Sequence, residues 1–222
     1  MSWSLRIARV SDIDIKVHIT FLLILALGGM QWGQTHGAGG FVFGVLLMLA
    51  LFACVTLHEL GHSLAAQRFN VPVREIVLLP IGGVAMLGKL PERPVQELII
   101  AAAGPAVNVA IAGVLALFVA PIFATLDGHG LVEGAMNQPS LQTFLAWLLV
   151  ANITLVAFNL IPAFPLDGGR MLRAFLAIFT DYARATRIAA TIGQGFAVLL
   201  GILGVLSGNF ILALIAVFIF FG

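Results

Sequence analysis

Residues 58 to 62 read His-Glu-Leu-Gly-His. On a helix, side chains four residues apart share a face, so His58 and His62 can bind one tetrahedral metal ion. Glu59 is placed to reach a water on such an ion without ligating it, the position of a general base in a metal-assisted hydrolase. The five-residue pattern also arises by coincidence. Its surroundings argue otherwise, because residues 45 to 57 read VLLMLALFACVTL and ionisable groups in so apolar a run are costly to desolvate. A divalent cation beside them would offset that cost and let Glu59 stay charged. Thr56 and Ser63 lie close enough in sequence to tune the histidines.

Two histidines leave a catalytic zinc site one ligand short, since such sites use three protein ligands and keep one open position. The lone cysteine, Cys54, rules out a disulfide within the chain and a thiolate cluster, and reads as a small buried hydrophobe. The remaining candidates are His18, His36, His129 and the acidic residues. Asp167 stands out because it follows two prolines in NLIPAFPLDGGR, residues 159 to 170. A helix cannot continue through that segment. The prolines and Gly168-Gly169 would let the backbone turn the carboxylate inward; alternatively, Asp167 is a surface turn residue capping the next helix.

These residues must be positioned by membrane helices. The 222-residue chain is 61% hydrophobic and 9% charged, and its mean hydropathy is +1.10. A net charge of +1 with no run of like charges excludes nucleic-acid binding. Six apolar segments meet or approach the roughly 20 residues needed to span a bilayer: Ile19 to Trp32, Phe41 to Phe69, Val95 to Ala124, Leu141 to Ile161, Ala183 to Ser207 and Asn209 to Phe221. The first lacks a cleavage signature and reads as retained.

Every lysine and arginine falls on one side of this arrangement. Arg6, Arg9 and Lys16 precede the first segment; Arg68, Arg74, Lys89 and Arg93 lie between the second and third; Arg170, Arg173, Arg184 and Arg187 lie between the fourth and fifth. The opposite loops, Gln31 to Gly40 and Thr125 to Ser140, contain none. Positively charged loops stay in the cytosol, so both termini and HELGH belong on the cytosolic side, with His36 and His129 on the other.

One stretch between spans is not helical in character. VPVREIVLLPIGGVAMLGKLPERP, from Val71 to Pro94, combines β-branched residues with paired glycines and prolines and predicts short strands. It is too apolar for a free loop, and non-helical backbone at membrane depth survives only when buried or lining a wet cavity. The alternating Ser4 to Val17 segment is a candidate partner strand. The expected fold is therefore an all-α membrane protein of about six transmembrane helices with a small β region on its cytosolic side, forming a single domain over residues 1–222.

HELGH on one span, paired with the Asn-x-x-Pro-x-x-x-x-Asp-Gly pattern of NLIPAFPLDGGR on a later one, closely resembles the site-2 protease family of intramembrane zinc metalloproteases in its archaeal and bacterial form. LLPIGGVAM at 78 to 86 and GPAVN at 104 to 108 share the likeness, which extends from His18 to the final FFG. The resemblance implies one zinc ion held by His58, His62 and Asp167, with Glu59 as base. It also implies that Asn159 donates to the scissile carbonyl or its oxyanion, where an interhelical hydrogen bond is the competing use. Asn108 either assists or serves close helix packing. Many relatives continue into nucleotide-sensing CBS domains, and the end at Gly222 suggests a trimmed chain.

The expected substrate is a transmembrane segment of another protein in the cell membrane, already shortened outside it, a sequence of events implied by the family. Ile81 to Met86 would either bind that substrate as an added strand or serve packing alone. The alternative activity is a divalent-metal transporter using the same His and Asp residues, which would have no use for Glu59. Nothing in the pattern fixes an oligomeric state.

Overall fold

The computed structural model describes residues 3–80, 82–87, 93–124 and 136–222. Strands β1 (Ser4–Val10) and β2 (Ile13–His18) open the chain, followed by helix α1 (Phe21–Arg68) and strands β3 (Val73–Leu79) and β4 (Gly82–Leu87). Helices α2 (Pro94–Ala124), α3 (Leu141–Asn159), α4 (Asp167–Ala177), α5 (Tyr182–Leu206) and α6 (Phe210–Phe221) complete it. α1, α2, α3 and α5 are long and apolar enough to cross a membrane. The 12-residue α6 is equally apolar but shorter than a span requires. The chain is a multi-pass membrane protein.

Four long helices stand where six segments were expected, partly because the first two segments are joined. Helical structure runs through the expected Gln31 to Gly40 loop and breaks only at Gly37, whose φ of +60° and ψ of −148° suit glycine. The two limbs of α1 return against each other through small residues. A Cβ on Gly44 would lie 2.7 Å from the backbone carbon of Gly28. Between lipid-exposed helices, such close approach replaces the hydrophobic effect as the source of attraction.

The strands form one sheet in the order β1-β2-β3-β4. β1 and β2 are an antiparallel hairpin turned by Ser11 and Asp12, both at positive φ. β2 then runs parallel to β3, with α1 as the crossover, and β3 pairs antiparallel with β4. The expected partner strand is thus present as β2, and the Val71 to Pro94 stretch holds the two strands β3 and β4; Ile81 and residues 88–92 lie outside the described residues. Alternation explains the packing: Ile13 and Ile15 are buried with Val73, Ile76 and Leu78 against Leu60 and Ala66 of α1 and Ile100 of α2. On the opposite face, Lys16 of β2 pairs with Glu75 of β3. The sheet is therefore fastened to the helices that carry His58, His62 and the start of α2.

Candidate metal centre

The 3.6-residue period of α1 brings His58 and His62 together on the face turned toward α2 and α4. His58 Nε2 and His62 Nε2 lie 3.1 Å apart, and Asp167 Oδ2 is 3.2 Å from the first and 3.0 Å from the second. All three side chains are buried. These are the residues that resemblance singled out, gathered from positions more than a hundred apart in sequence.

Whether the three fit a metal is decided by their hydrogens. His62 Nδ1 lies 2.7 Å from the Ile100 carbonyl oxygen, which can only accept, so Nδ1 carries a proton and the neutral ring keeps its lone pair on Nε2. His58 Nδ1 lies 2.5 Å from Asn108 Oδ1 and is its donor in the same way. With both imidazoles neutral, two lone pairs and a carboxylate oxygen converge on one point, an arrangement that a cation between them would relieve. Their mutual spacing also approaches the edge of roughly 3.3 Å expected for a tetrahedron with metal–ligand bonds near 2.0–2.1 Å. The group can hold a metal ion.

Asp167 reaches this position because of the break after α3. α3 ends at Asn159, the chain turns through residues 160–166, and Asp167 is the first residue of α4. Leu166 holds the cap position and no side chain caps the helix, so Asp167 is not a cap. Gly168 and Gly169 act by closeness: a Cβ on Gly169 would sit 2.6 Å from the Phe164 nitrogen, and one on Gly168 2.6 Å from the Leu160 carbonyl carbon. Larger residues would lift α4 off the turn and draw Asp167 out of the bundle. Arg170, one turn on, places Nη1 3.7 Å from Asp167 Oδ1, leaving Oδ2 to face the histidines.

The centre opens into a cavity of about 650 Å³. Glu59 lines it and stands outside the group of three residues that could hold a metal ion. β4 crosses over Glu59 so closely that a Cβ on Gly83 would be 3.1 Å from its Cδ. Asn159 lines the same cavity, while the interhelical hydrogen bond of α3 is made by Asn152 instead. Arg170 is also in the wall, and its Nη2 is buried without a partner among the described residues.

Other sequence candidates lie elsewhere. His18 bonds to Thr20 and His36 to Thr35, both half-buried and away from the metal centre, and His129 is outside the described residues. Thr56 donates back to the Phe52 carbonyl, and Ser63 is buried without a hydrogen bond to either histidine. Cys54 is buried in the apolar core, as its type suggested.

Several supporting residues were not singled out in the sequence. Asn152 of α3 accepts from Asn108 Nδ2 at 2.7 Å and donates to the Leu148 carbonyl at 2.8 Å. Glu97 of α2, only 1% exposed, accepts from Arg173 of α4 and from the Tyr182 hydroxyl of α5. A polar residue inside an apolar span signals a partner; for Asn152 that signal was available.

Comparison with known proteins identifies the family. The model of peptidase family M50 matches residues 46–129 and 120–202. The chain is 41% identical, over its whole length and 60% of the relative's, to the zinc metalloprotease MJ0392 of Methanocaldococcus jannaschii. It is 34% identical to the putative zinc metalloprotease sll0528 of Synechocystis over 93% of this chain and 54% of that protein, and 27% identical to the stage IV sporulation protein FB of Bacillus subtilis over 86% and 58%. The chain thus spans little more than half the length of these relatives. The solved structure of the site-2 protease from Methanocaldococcus jannaschii superposes with a TM-score of 0.61 at 38% identity, covering 99% of this chain and 93% of that one. The chain belongs to peptidase family M50, the site-2 protease family.

Proposed function

We propose that the chain is an intramembrane zinc metalloprotease that hydrolyses peptide bonds within or near transmembrane segments of other membrane proteins, as a step of regulated intramembrane proteolysis. The observation that carries this reading is the convergence of His58 Nε2, His62 Nε2 and Asp167 Oδ2 within 3.0–3.2 Å of one another, with Glu59 on the same cavity wall. The relatives named as zinc metalloproteases support zinc as the metal, nitrogen–oxygen ligation suits it, and a single group of three residues suits one ion.

Zinc held by these residues supplies Lewis acidity and lowers the pKa of water at the site. Glu59 takes a proton from the attacking water and later delivers it to the leaving amine nitrogen. Asn159 donates its amide to the carbonyl oxygen as that oxygen gains charge. A helix hides its carbonyls in internal hydrogen bonds, so the substrate must be extended where it is cut. β4 is the last strand of the sheet and passes over Glu59, so its outer edge is the place for an extended substrate to pair.

The remaining features follow from charge and chain. The one-sided distribution of the lysines and arginines supports an orientation in a cell membrane with both termini and the metal centre toward the cytosol. The return of the two limbs of α1 against each other, beside α2, α3, α5 and the shorter apolar α6, supports a reading of six membrane segments in one domain over residues 1–222. Glu59→Gln tests the activity: detergent-purified protein should keep its zinc and lose chelator-sensitive cleavage of single-span membrane proteins. If the wild type cleaved none of them and instead carried zinc into vesicles in the presence and absence of Glu59, the protein would be a transporter.

A further inference from the structure

The His58 side chain is the first link of a hydrogen-bonded line that crosses three helices. His58 Nδ1 meets Asn108 Oδ1 of α2 at 2.5 Å, Asn108 Nδ2 meets Asn152 Oδ1 of α3 at 2.7 Å, and Asn152 Nδ2 meets the Leu148 carbonyl oxygen at 2.8 Å. Asn108 and Asn152 are both 0% exposed. No water competes for their amides.

The direction of the line is set from its far end. A backbone carbonyl can only accept, so the Asn152 atom facing Leu148 must be its amide nitrogen. Asn152 therefore turns its oxygen to Asn108, which must answer with its own nitrogen and present oxygen to His58. That oxygen requires a proton on His58 Nδ1, so the neutral ring is held in the tautomer with its lone pair on Nε2. Reversing either amide would put two acceptors or two donors face to face in a buried site.

We propose that Asn108 and Asn152 are positioning residues for the metal, which fix the His58 tautomer and ring angle that ligation requires. The inference rests on the reading of His58, His62 and Asp167 as metal ligands, and it assigns Asn108 a use beyond close helix packing. His62 needs no such pair, because the Ile100 carbonyl holds it directly. His58 has side-chain support only, so its ligation depends on two replaceable residues.

The test is zinc affinity, measured by chelator competition on detergent-purified wild type, Asn108→Leu and Asn152→Leu, together with unfolding of the metal-free proteins and the visible absorption of the cobalt(II) forms. Leucine keeps the volume and removes the hydrogen bonds. Loss of a group that orients a ligating histidine weakens metal binding about 10- to 100-fold. Asn108→Leu should show a loss of that size, and Asn152→Leu a smaller loss of the same sign, both with weakened cobalt bands that report altered ligand geometry. Zinc affinity within about twofold of wild type in either folded variant, with only metal-free stability reduced, would overturn the proposal and leave a structural role. Should Asn108→Leu not fold, Asn152→Leu decides on its own. A wild type that binds neither zinc nor cobalt would instead overturn the metalloprotease reading itself.

Discussion

Replacing Gly104 with alanine puts a methyl group where the His62 ring now lies. The added Cβ would fall 2.5 Å from His62 Cε1 and 2.7 Å from Cδ2, and the nearest ring atom is Nε2, the metal-facing nitrogen. Carbon atoms rest about 3.5–4.0 Å apart, so the ring must retreat by roughly 1 Å. Helix α2 is held from behind by α3, through the buried Asn108–Asn152 hydrogen bond, so its retreat would disturb that contact in turn. Metal–ligand distances tolerate about 0.2 Å. A misplacement of about 1 Å costs on the order of 100-fold where geometry is critical, or about 2.7 kcal/mol. Alanine is itself the better helix former by about 1 kcal/mol, so metal-free stability should suffer less than metal affinity. Gly113→Ala is the control, being in the same helix with nothing within 4 Å of the added carbon. Chelator competition for zinc on the three proteins reads the difference. If Gly104→Ala bound zinc within about threefold of Gly113→Ala, the tight seat assigned to His62 would be wrong.

The Glu97–Arg173 pair should behave as a buried charge pair: Arg173→Met alone should cost about 3–5 kcal/mol by stranding the carboxylate. The double change Glu97→Leu with Arg173→Met should cost well under the sum of the singles, and additivity within about 0.5 kcal/mol in denaturation of the detergent-solubilised protein would rule out the coupling. Zinc removal should lower the unfolding midpoint, because a ligand at 1,000 times its dissociation constant adds about 4 kcal/mol. The increment should vanish in Asp167→Ala; a chelator effect of equal size in that variant would place the metal elsewhere.

The proposed ligands were legible because of where each lies in its element. His58 and His62 share one turn-to-turn spacing on a single helix, so their sequence already states their geometry. Asp167 was legible as an option only, since whether a carboxylate after two prolines caps a helix or turns inward depends on what α4 packs against. The DGG glycines were expected to matter for backbone freedom; they matter for closeness to residues 160 to 164, which no local pattern encodes. Likewise, the HGAGG stretch offers three glycines for a break, and only packing of the two limbs selects Gly37. Partners such as Glu97 and Arg173, 76 residues apart, leave no mark in either neighbourhood.

Helix α2 carries none of the ligands, yet each of them depends on it. Its Ile100 carbonyl orients His62, its Asn108 orients His58, and its Glu97 grips Arg173 on the helix that begins with Asp167. Gly104 lies between these contacts and lets α1 close onto them. All four lie within three turns, on the face of α2 toward the metal centre, and Pro105 sits among them. Proline removes one hydrogen bond from a helix, a cost to stability at the point where accuracy matters most. That cost is compatible with a rigid α2 because the helix is held from both sides, by α1 through Gly61 and by α3 through Asn152. A displacement of α3 relative to α2 would therefore reach His58 through the asparagine pair before it disturbed His62, whose support is the backbone of α2 itself.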